Sequence, residues 1–434
     1  FDVGPAPAQH APSVTSKGIT GQLTGSRADL IVADDVEVPN NSATQMMREK
    51  LSSAIKEFDA IRKPGGRVLF LGTPQSEQSI YGLLEDRGYS TRIWPARRPT
   101  EEKEVSYGKT LAPMIRKVDH GLPTDPMRFP EEELGEREMS FGRSGFALQF
   151  MLDTTLSDMD RYPLKINDLI FMDCRNGICP EKLVYSSDPR LNRDDLPNLG
   201  FNGDRYHRPE QTIGDWVPFT GSVMAIDPSG RGGDETSYAI VKMRNGYLYV
   251  PECSGVDGGY SQETLEKLCE IAARNEVNHV VVESNFGDGM FTELLKPVMA
   301  NTHPCAIDEV RHNMMKERRI IDTLEPVMNQ HRLVMDPRVV TEDYESLSGR
   351  LETGMHYSLF YQISRIARVR GALRHDDRLD ALAMGVGYWV EQMAQDVDDR
   401  MERRREEIID RELRKFMGNA LGWSSESEDS LVWV

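Results

Sequence analysis

Residues 221–237 read GSVMAIDPSGRGGDETS, and their order sets the architecture. Val223, Met224, Ala225 and Ile226 run straight into Asp227. Pro228, Ser229, Gly230, Gly232 and Gly233 then make a turn, and a second alternating run, Tyr238–Met243, leads away. The pattern predicts a buried strand ending in a carboxylate, a glycine turn and a return strand: a hairpin with an acid at its mouth. Burying an unpaired acid is costly, and the usual remedy is a hard divalent cation shared by several carboxylates. The stretch therefore requires partner acids elsewhere in the chain.

Two segments supply them. Asn278–Glu283 (NHVVVE) is a second apolar run ending in an acid, and His375–Met384 (HDDRLDALAM) is an acidic helix start that turns apolar. Asp377 and Asp380 are three apart and share one helical face. Strand-end Asp227, strand-end Glu283 and helix-borne Asp377 and Asp380 together predict a two-metal carboxylate site. The bland alternative is three unrelated strand and helix caps.

Composition bounds the function. The 434 residues suffice for two or three domains and have the make-up of an ordinary globular protein. No apolar run approaches the roughly 20 residues of a membrane-spanning helix, and Phe1–His10 has no basic start or apolar core of a secretory signal. The five cysteines (Cys174, Cys179, Cys253, Cys269, Cys305) lack metal-ligand spacing and read as reduced core residues. A net charge of −18, taken alone, argues against nucleic acid. Part of that acid, however, would serve to bind cations, and Arg365, Arg368, Arg370 and Arg374 form a basic strip just before the acidic helix. A strip of this kind beside a carboxylate cluster suits a phosphate backbone approaching a metal.

Upstream, Asp29–Glu37 (DLIVADDVE) is an apolar strand ending in Asp34 and Asp35 and resembles a Walker B strand, whose acids hold a nucleotide's Mg²⁺ and polarise water. Such strand-end acids are also common without that role. Arg67–Gln75 (RVLFLGTPQ) reads as the neighbouring strand, with Thr73 and Gln75 at a tip suited to sensing phosphate. Between them Ala43–Ile61 predicts an amphipathic helix with Met46, Met47, Leu51, Ile55 and Phe58 as its core stripe. No G-x-x-x-x-G-K-[ST] loop occurs in the sequence. The chain also opens on Phe1 in a Pro- and Ala-rich stretch. The expectation is an incomplete ATPase core whose first strands lie upstream.

Phe141–Leu152 predicts a helix packing back on this part, and Thr154–Asp215 a connector containing a short strand at Lys182–Ser186. His10, His120 and His207 are isolated and read as surface residues. From Trp216 the expected order is strands at 222–227, 237–244 and 246–253, helix 262–274, strand 278–283, helix 288–299, strand 304–308, helix 314–328, a short strand Arg332–Met335 and helix Arg378–Trp389. Asn245-Gly246 is a hairpin turn. Three hairpin-linked strands followed by alternating helices and strands predict a mixed sheet covered on both faces. Glu391–Phe416 is charge-dense and predicts an exposed helix. The acidic end, GWSSESEDSLVWV, is either a docking tail or unstructured.

Taken jointly, GITGQLTGSRADLIVADDVE, LFLGTPQ, MAIDPSGRGGDETSYAI, VVVESNFGDGMF and RGALRHDDRLDALAMGV, in this order, resemble the large terminase subunit of tailed bacteriophages of the T7-like type over nearly the whole chain. The resemblance implies an α/β protein: a partial P-loop ATPase parallel sheet in 1–155, a linker or start of the second domain in 156–215, an RNase H-like mixed-sheet nuclease in 216–395 and a charged helix and tail in 396–434. It implies that Asp34 and Asp35 match the Walker B acids and that Gly72–Gln75 match the coupling motif. It also implies that Asp227, Glu283 and Asp380 match the nuclease acids, with Asp377 an extra one. The implied activity is cutting of concatemeric double-stranded DNA, with two Mg²⁺ or Mn²⁺ ions about 3.5–4 Å apart at the nuclease site and ATP bound by the complete protein. Asp227 would bridge the ions, Glu283 would hold one and Asp380 or Asp377 the other. Asp376 and Asp234 would stand behind them, and Gly230, Gly232 and Gly233 would let the duplex come close. The implied partners are DNA, the portal protein and the small terminase subunit, in a ring on the portal, in the host cytoplasm and away from membranes. Another RNase H-like nuclease of the resolvase or transposase kind, or a packaging-motor fragment that only docks partners, are the competing readings.

Overall fold

The computed structural model describes residues 12–395 and Gly4, apart from 22, 24, 156–157, 159–160, 202, 230–234, 285–288 and 349–353. His10, the glycine turn with Asp234, and the segment 396–434 thus lie outside the described residues.

In the N-terminal part, β1 (Ala28–Asp34) pairs in parallel with β2 (Arg62–Leu71). The connecting helix Gln45–Ile61 is capped by the Thr44 side chain, which accepts from the Met47 N–H. Leu51, Ile55, Phe58 and Ile61 are the buried apolar residues of this helix and pack with Ala33, Ile80 and Leu84. Met46 and Met47, expected on the same stripe, are instead 60% and 40% exposed. At this first turn the buried position belongs to Gln45. Its amide lies 2.8 Å from a ring nitrogen of His356 and accepts from the Arg374 N–H at 3.2 Å, which ties the helix to the C-terminal part. The expected helix at Phe141–Leu152 is the second half of a longer one, Glu131–Gln149, broken at Gly142 by a left-handed φ of 69°.

The C-terminal part is built on a seven-stranded sheet in the order β10-β9-β6-β7-β8-β11-β3. Here β3 is Ile170–Phe171, β6 Gly221–Asp227, β7 Thr236–Arg244 and β8 Tyr247–Val256. Strands β9 (His279–Glu283), β10 (Ala306–Val310) and β11 (Leu333–Met335) complete it. The first three hairpin-linked strands, β6–β8, are antiparallel, and the others run parallel to their neighbours. Both faces are covered, so the central strands are apolar at nearly every position. Val223, Ala239 and Val241 face helices Lys316–Asn329 and 377–395, whereas Met224, Ile226 and Ile240 face helices Gln262–Arg274 and Met290–Thr302. Segment 156–215 contributes β3 to the sheet edge and β4 (Ile178–Val184), which pairs antiparallel with β5 (Gln211–Pro218).

His207, expected at the surface, is 5% exposed: its carbonyl accepts from the Phe171 N–H at 2.8 Å, which draws the residue in against β3. The five cysteines are free, and all but Cys305 are fully buried. Among the described residues no helix is long and apolar enough to cross a membrane.

Candidate metal centre

Strands β6 and β9 are adjacent and parallel, with Ile226 opposite Val282, so their next residues, Asp227 and Glu283, emerge together at the carboxyl ends of the strands. That edge is where open α/β sheets hold ligands. The third acid arrives on helix 377–395. Leu379, Leu382 and Val386 seat this helix on the sheet. Gly385 permits the close approach, since a Cβ there would lie 2.6 Å from Val241 Cγ2. The helix is further fixed by the Trp389 indole N–H donating to the Val241 carbonyl at 2.9 Å. Asp380 sits in its first turn, where negative charge is favoured.

One carboxylate oxygen from each of Asp227, Glu283 and Asp380 lies within 4.8 Å of the others. All three are sequestered: Asp380 is 0% and Asp227 9% exposed. Of the four acids expected at the site, these three converge; Asp377 stands at its rim, 3.7 Å from Lys316 Nζ.

Two cations that the sequence did not single out complete the cluster. Lys316 and Arg319 occupy successive turns of helix Lys316–Asn329. Lys316 Nζ lies 2.8 Å from Asp376, 3.0 Å from Asp380 and 3.3 Å from Asp227. Arg319 donates to Asp380 Oδ1 at 2.5 Å and stands 3.7 Å from Glu283. The sequence shows them only as charged residues within the expected helix 314–328, and the fold brings them to the acids.

The electrostatics are those of acids crowded out of water. Burial, reinforced by the charges of Asp380 and Asp227, pushes the Glu283 carboxyl up to about 8. Burial also raises Asp227 and Asp376, against the opposing pull of Lys316. Burial alone would lower Lys316, but the surrounding carboxylates outweigh it and hold the ammonium above its ordinary range. The donor set fits a hard divalent cation: it is all carboxylate oxygen, one from each of three acids within 4.8 Å of the others, and Asp380 Oδ2 is countered by the Lys316 ammonium at 3.0 Å.

The nucleotide-side candidates lie at the ends of β1 and β2. Asp34 and Asp35 are exposed, and Asp35 has a left-handed φ of 44° while its N–H donates to the Leu71 carbonyl. Thr73 and Gln75 are half-buried, with the Gln75 amide donating to the Thr73 carbonyl at 3.1 Å. The organiser here is Glu37, which the sequence reading passed over. Buried, it accepts from the Gln75 N–H, the Ser79 hydroxyl and the Ile80 N–H at 2.7–3.0 Å. Of the basic strip, Arg365 is packed between Phe201 and Tyr361. Arg368 pairs with Asp322 and Glu325, both at 2.5 Å, and Arg370 and Arg374 are exposed.

A mixed sheet of this connectivity with acids at the mouth of its central strands defines an RNase H-like nuclease domain. The profile of the family "Terminase Bacteriophage T7, Ribonuclease H-like domain" matches residues 226–333, from the end of β6 to the start of β11. The large terminase subunit of Enterobacteria phage T3 is 49% identical over 405 residues, covering 89% of this chain and 68% of that protein. The chain belongs to the large terminase subunits of T7-like phages, the nuclease-bearing component of a DNA-packaging motor. Two solved nuclease domains are also similar. That of the large terminase of thermophilic phage G20c is 12% identical over 52% of this chain and 98% of its own, with a TM-score of 0.30. The Mn-soaked, inhibitor-bound terminase nuclease domain of human cytomegalovirus is 11% identical over 39% and 82%, with a TM-score of 0.27.

Proposed function

We propose that Asp227, Glu283 and Asp380 hold Mg²⁺ or Mn²⁺ and that the chain cuts concatemeric double-stranded DNA by phosphodiester hydrolysis. The observation that carries this reading is the convergence of three carboxylates, two buried and one half-buried, from three separate elements to within 4.8 Å. Bound divalent ions supply charge neutralisation at the phosphate and an activated water. The chain's own part is to hold the acids fixed at the end of a rigid sheet, with Asp227 central and Asp377 at the rim. Lys316 and Arg319 balance the acids' charge, and Arg370 and Arg374 offer cations to the duplex backbone.

On the same reading, 1–155 is the motor portion, with Asp34, Asp35, Thr73 and Gln75 facing ATP in the complete protein. Segment 156–215 leads into the nuclease of 216–395 and adds β3 to its sheet, and 396–434 is an appended tail. The portal protein and the small terminase subunit are the partners, in a ring on the procapsid within the host cytoplasm.

A plasmid-nicking assay with Mn²⁺ and with EDTA tests the proposal. Asp227→Asn should reduce cutting by at least about a thousandfold, the scale on which a principal charge-stabilising group acts, with the circular dichroism spectrum unchanged. A folded Asp227→Asn protein that still nicks in Mn²⁺ at the native rate overturns the assignment.

A further inference from the structure

Between Asp377 and Asp380 stands Arg378, which points away from the acids and is 3% exposed. Its guanidinium grips Glu235 with two hydrogen bonds, Nε to Oε1 at 2.5 Å and Nη2 to Oε2 at 2.9 Å. The remaining nitrogen, Nη1, donates to Asp343 Oδ1 at 2.7 Å and to the Ser346 hydroxyl at 3.0 Å. Asp343 is itself 1% exposed and accepts from the Ser358 hydroxyl and the Leu359 N–H at 2.6 and 3.0 Å. The arginine thus joins three elements: helix 377–395, helix Pro337–Glu345 and the start of β7.

Glu235 is the key partner. It directly precedes β7, whose Ser237 lies opposite Asp227 in the antiparallel register. The Arg378–Glu235 fork therefore spans the strand-borne and helix-borne acids from behind, fixing how far Asp380 stands from Asp227. Burying this charge carries a desolvation penalty that an apolar filler of similar volume would avoid, so a buried pair is weak evidence of stabilisation. What a planar fork provides is a fixed direction and register.

We infer that Arg378, through Glu235 and Asp343, is a positioning residue that sets the spacing of the carboxylates for divalent-cation binding. The inference rests on the metal-nuclease reading above. Arg378 touches neither metal nor DNA. It acts through the start of β7 and the helix, and its loss should appear first in the metal dependence of binding and cutting rather than in the fold.

The test is Mn²⁺ binding to the full 434-residue chain measured by calorimetry, beside an Mn²⁺ titration of plasmid nicking, with folding followed by circular dichroism. Two variants are compared with the native protein. Arg378→Lys keeps the charge but not the fork. Glu235→Gln leaves Arg378 compensated by Asp343 and is the milder arm. The expected result for both is a native spectrum, a half-saturating Mn²⁺ concentration raised tenfold or more, and partial recovery of rate at high Mn²⁺. Native metal dependence in folded variants overturns the inference, because a purely structural network would not move it. Loss of fold in Glu235→Gln overturns it too, since the network would then be structural. Absence of Mn²⁺-dependent cutting by the native chain refutes instead the nuclease reading on which the inference stands.

Discussion

Lys316 Nζ stands 3.0 Å from Asp380 Oδ2, so the most buried acid of the site faces an ammonium group from the neighbouring helix. With four carboxylates about it, Lys316 supplies the local positive charge wherever no metal does. Lys316→Ala should therefore destabilise the EDTA-treated protein by about 1–2 kcal/mol, a value reduced from that of a fully buried pair because the side chain is one-third exposed. Mn²⁺ should restore more stability to the variant than it adds to the native protein. Melting curves with EDTA and with Mn²⁺ check this; equal metal-induced shifts in the two proteins contradict it.

The raised Glu283 carboxyl makes the metal-free protein pH-sensitive. Its ordinary value is 4.5 and its folded value about 8, so between these the folded state keeps a proton that the unfolded chain has released. Stability without metal should therefore fall as pH rises through this window, and Asp227 and Asp376, also raised, act with the same sign. Divalent cations require the deprotonated acids, so their stabilising effect grows with pH. Denaturant melts at pH 6 and 8.5 in EDTA measure the slope, and Glu283→Gln should flatten it. An unchanged slope in that variant rules out this origin.

The basic strip divides into different roles. Arg370 is exposed, and Arg370→Ala should weaken DNA binding irrespective of sequence and lower the salt slope by about 1. Arg368 is committed to Asp322 and Glu325, and its replacement should change that slope less. Arg365→Ala should act on the fold, through loss of its stacking on Phe201 and Tyr361. Filter binding across a salt series orders the three. If Arg368→Ala changes the slope more than Arg370→Ala, this division of roles is wrong.

Glu37 holds the turn after β2 through three donors. Glu37→Ala strands buried N–H groups and should cost about 1–3 kcal/mol locally. Hydrogen exchange over residues 72–80 should quicken while that of β6 and β9 does not; equal protection in both proteins removes Glu37 from this role.

The sheet was readable because both of its faces are buried: unbroken apolar runs such as Val223–Ile226 and Val280–Val282 admit few other readings, and their terminal acids stood out by contrast. The Asn245-Gly246 turn fixed the hairpin register directly. Lys316, Arg319, Arg378 and Glu37 stayed hidden for a shared reason. Charged residues on amphipathic helices or after strands carry no local sign that a distant element will cover them. His207 and the two methionines went astray similarly, since backbone pairing with β3 and the inward Gln45 are long-range events.

Gln45 gives the molecule a short mechanical reach. One side chain, hung between His356 and the backbone of Arg374, anchors the first turn of helix Gln45–Ile61 two residues from Asp376. A tilt of that helix would load these two contacts directly, and with them the stretch of chain that enters the acid-bearing helix.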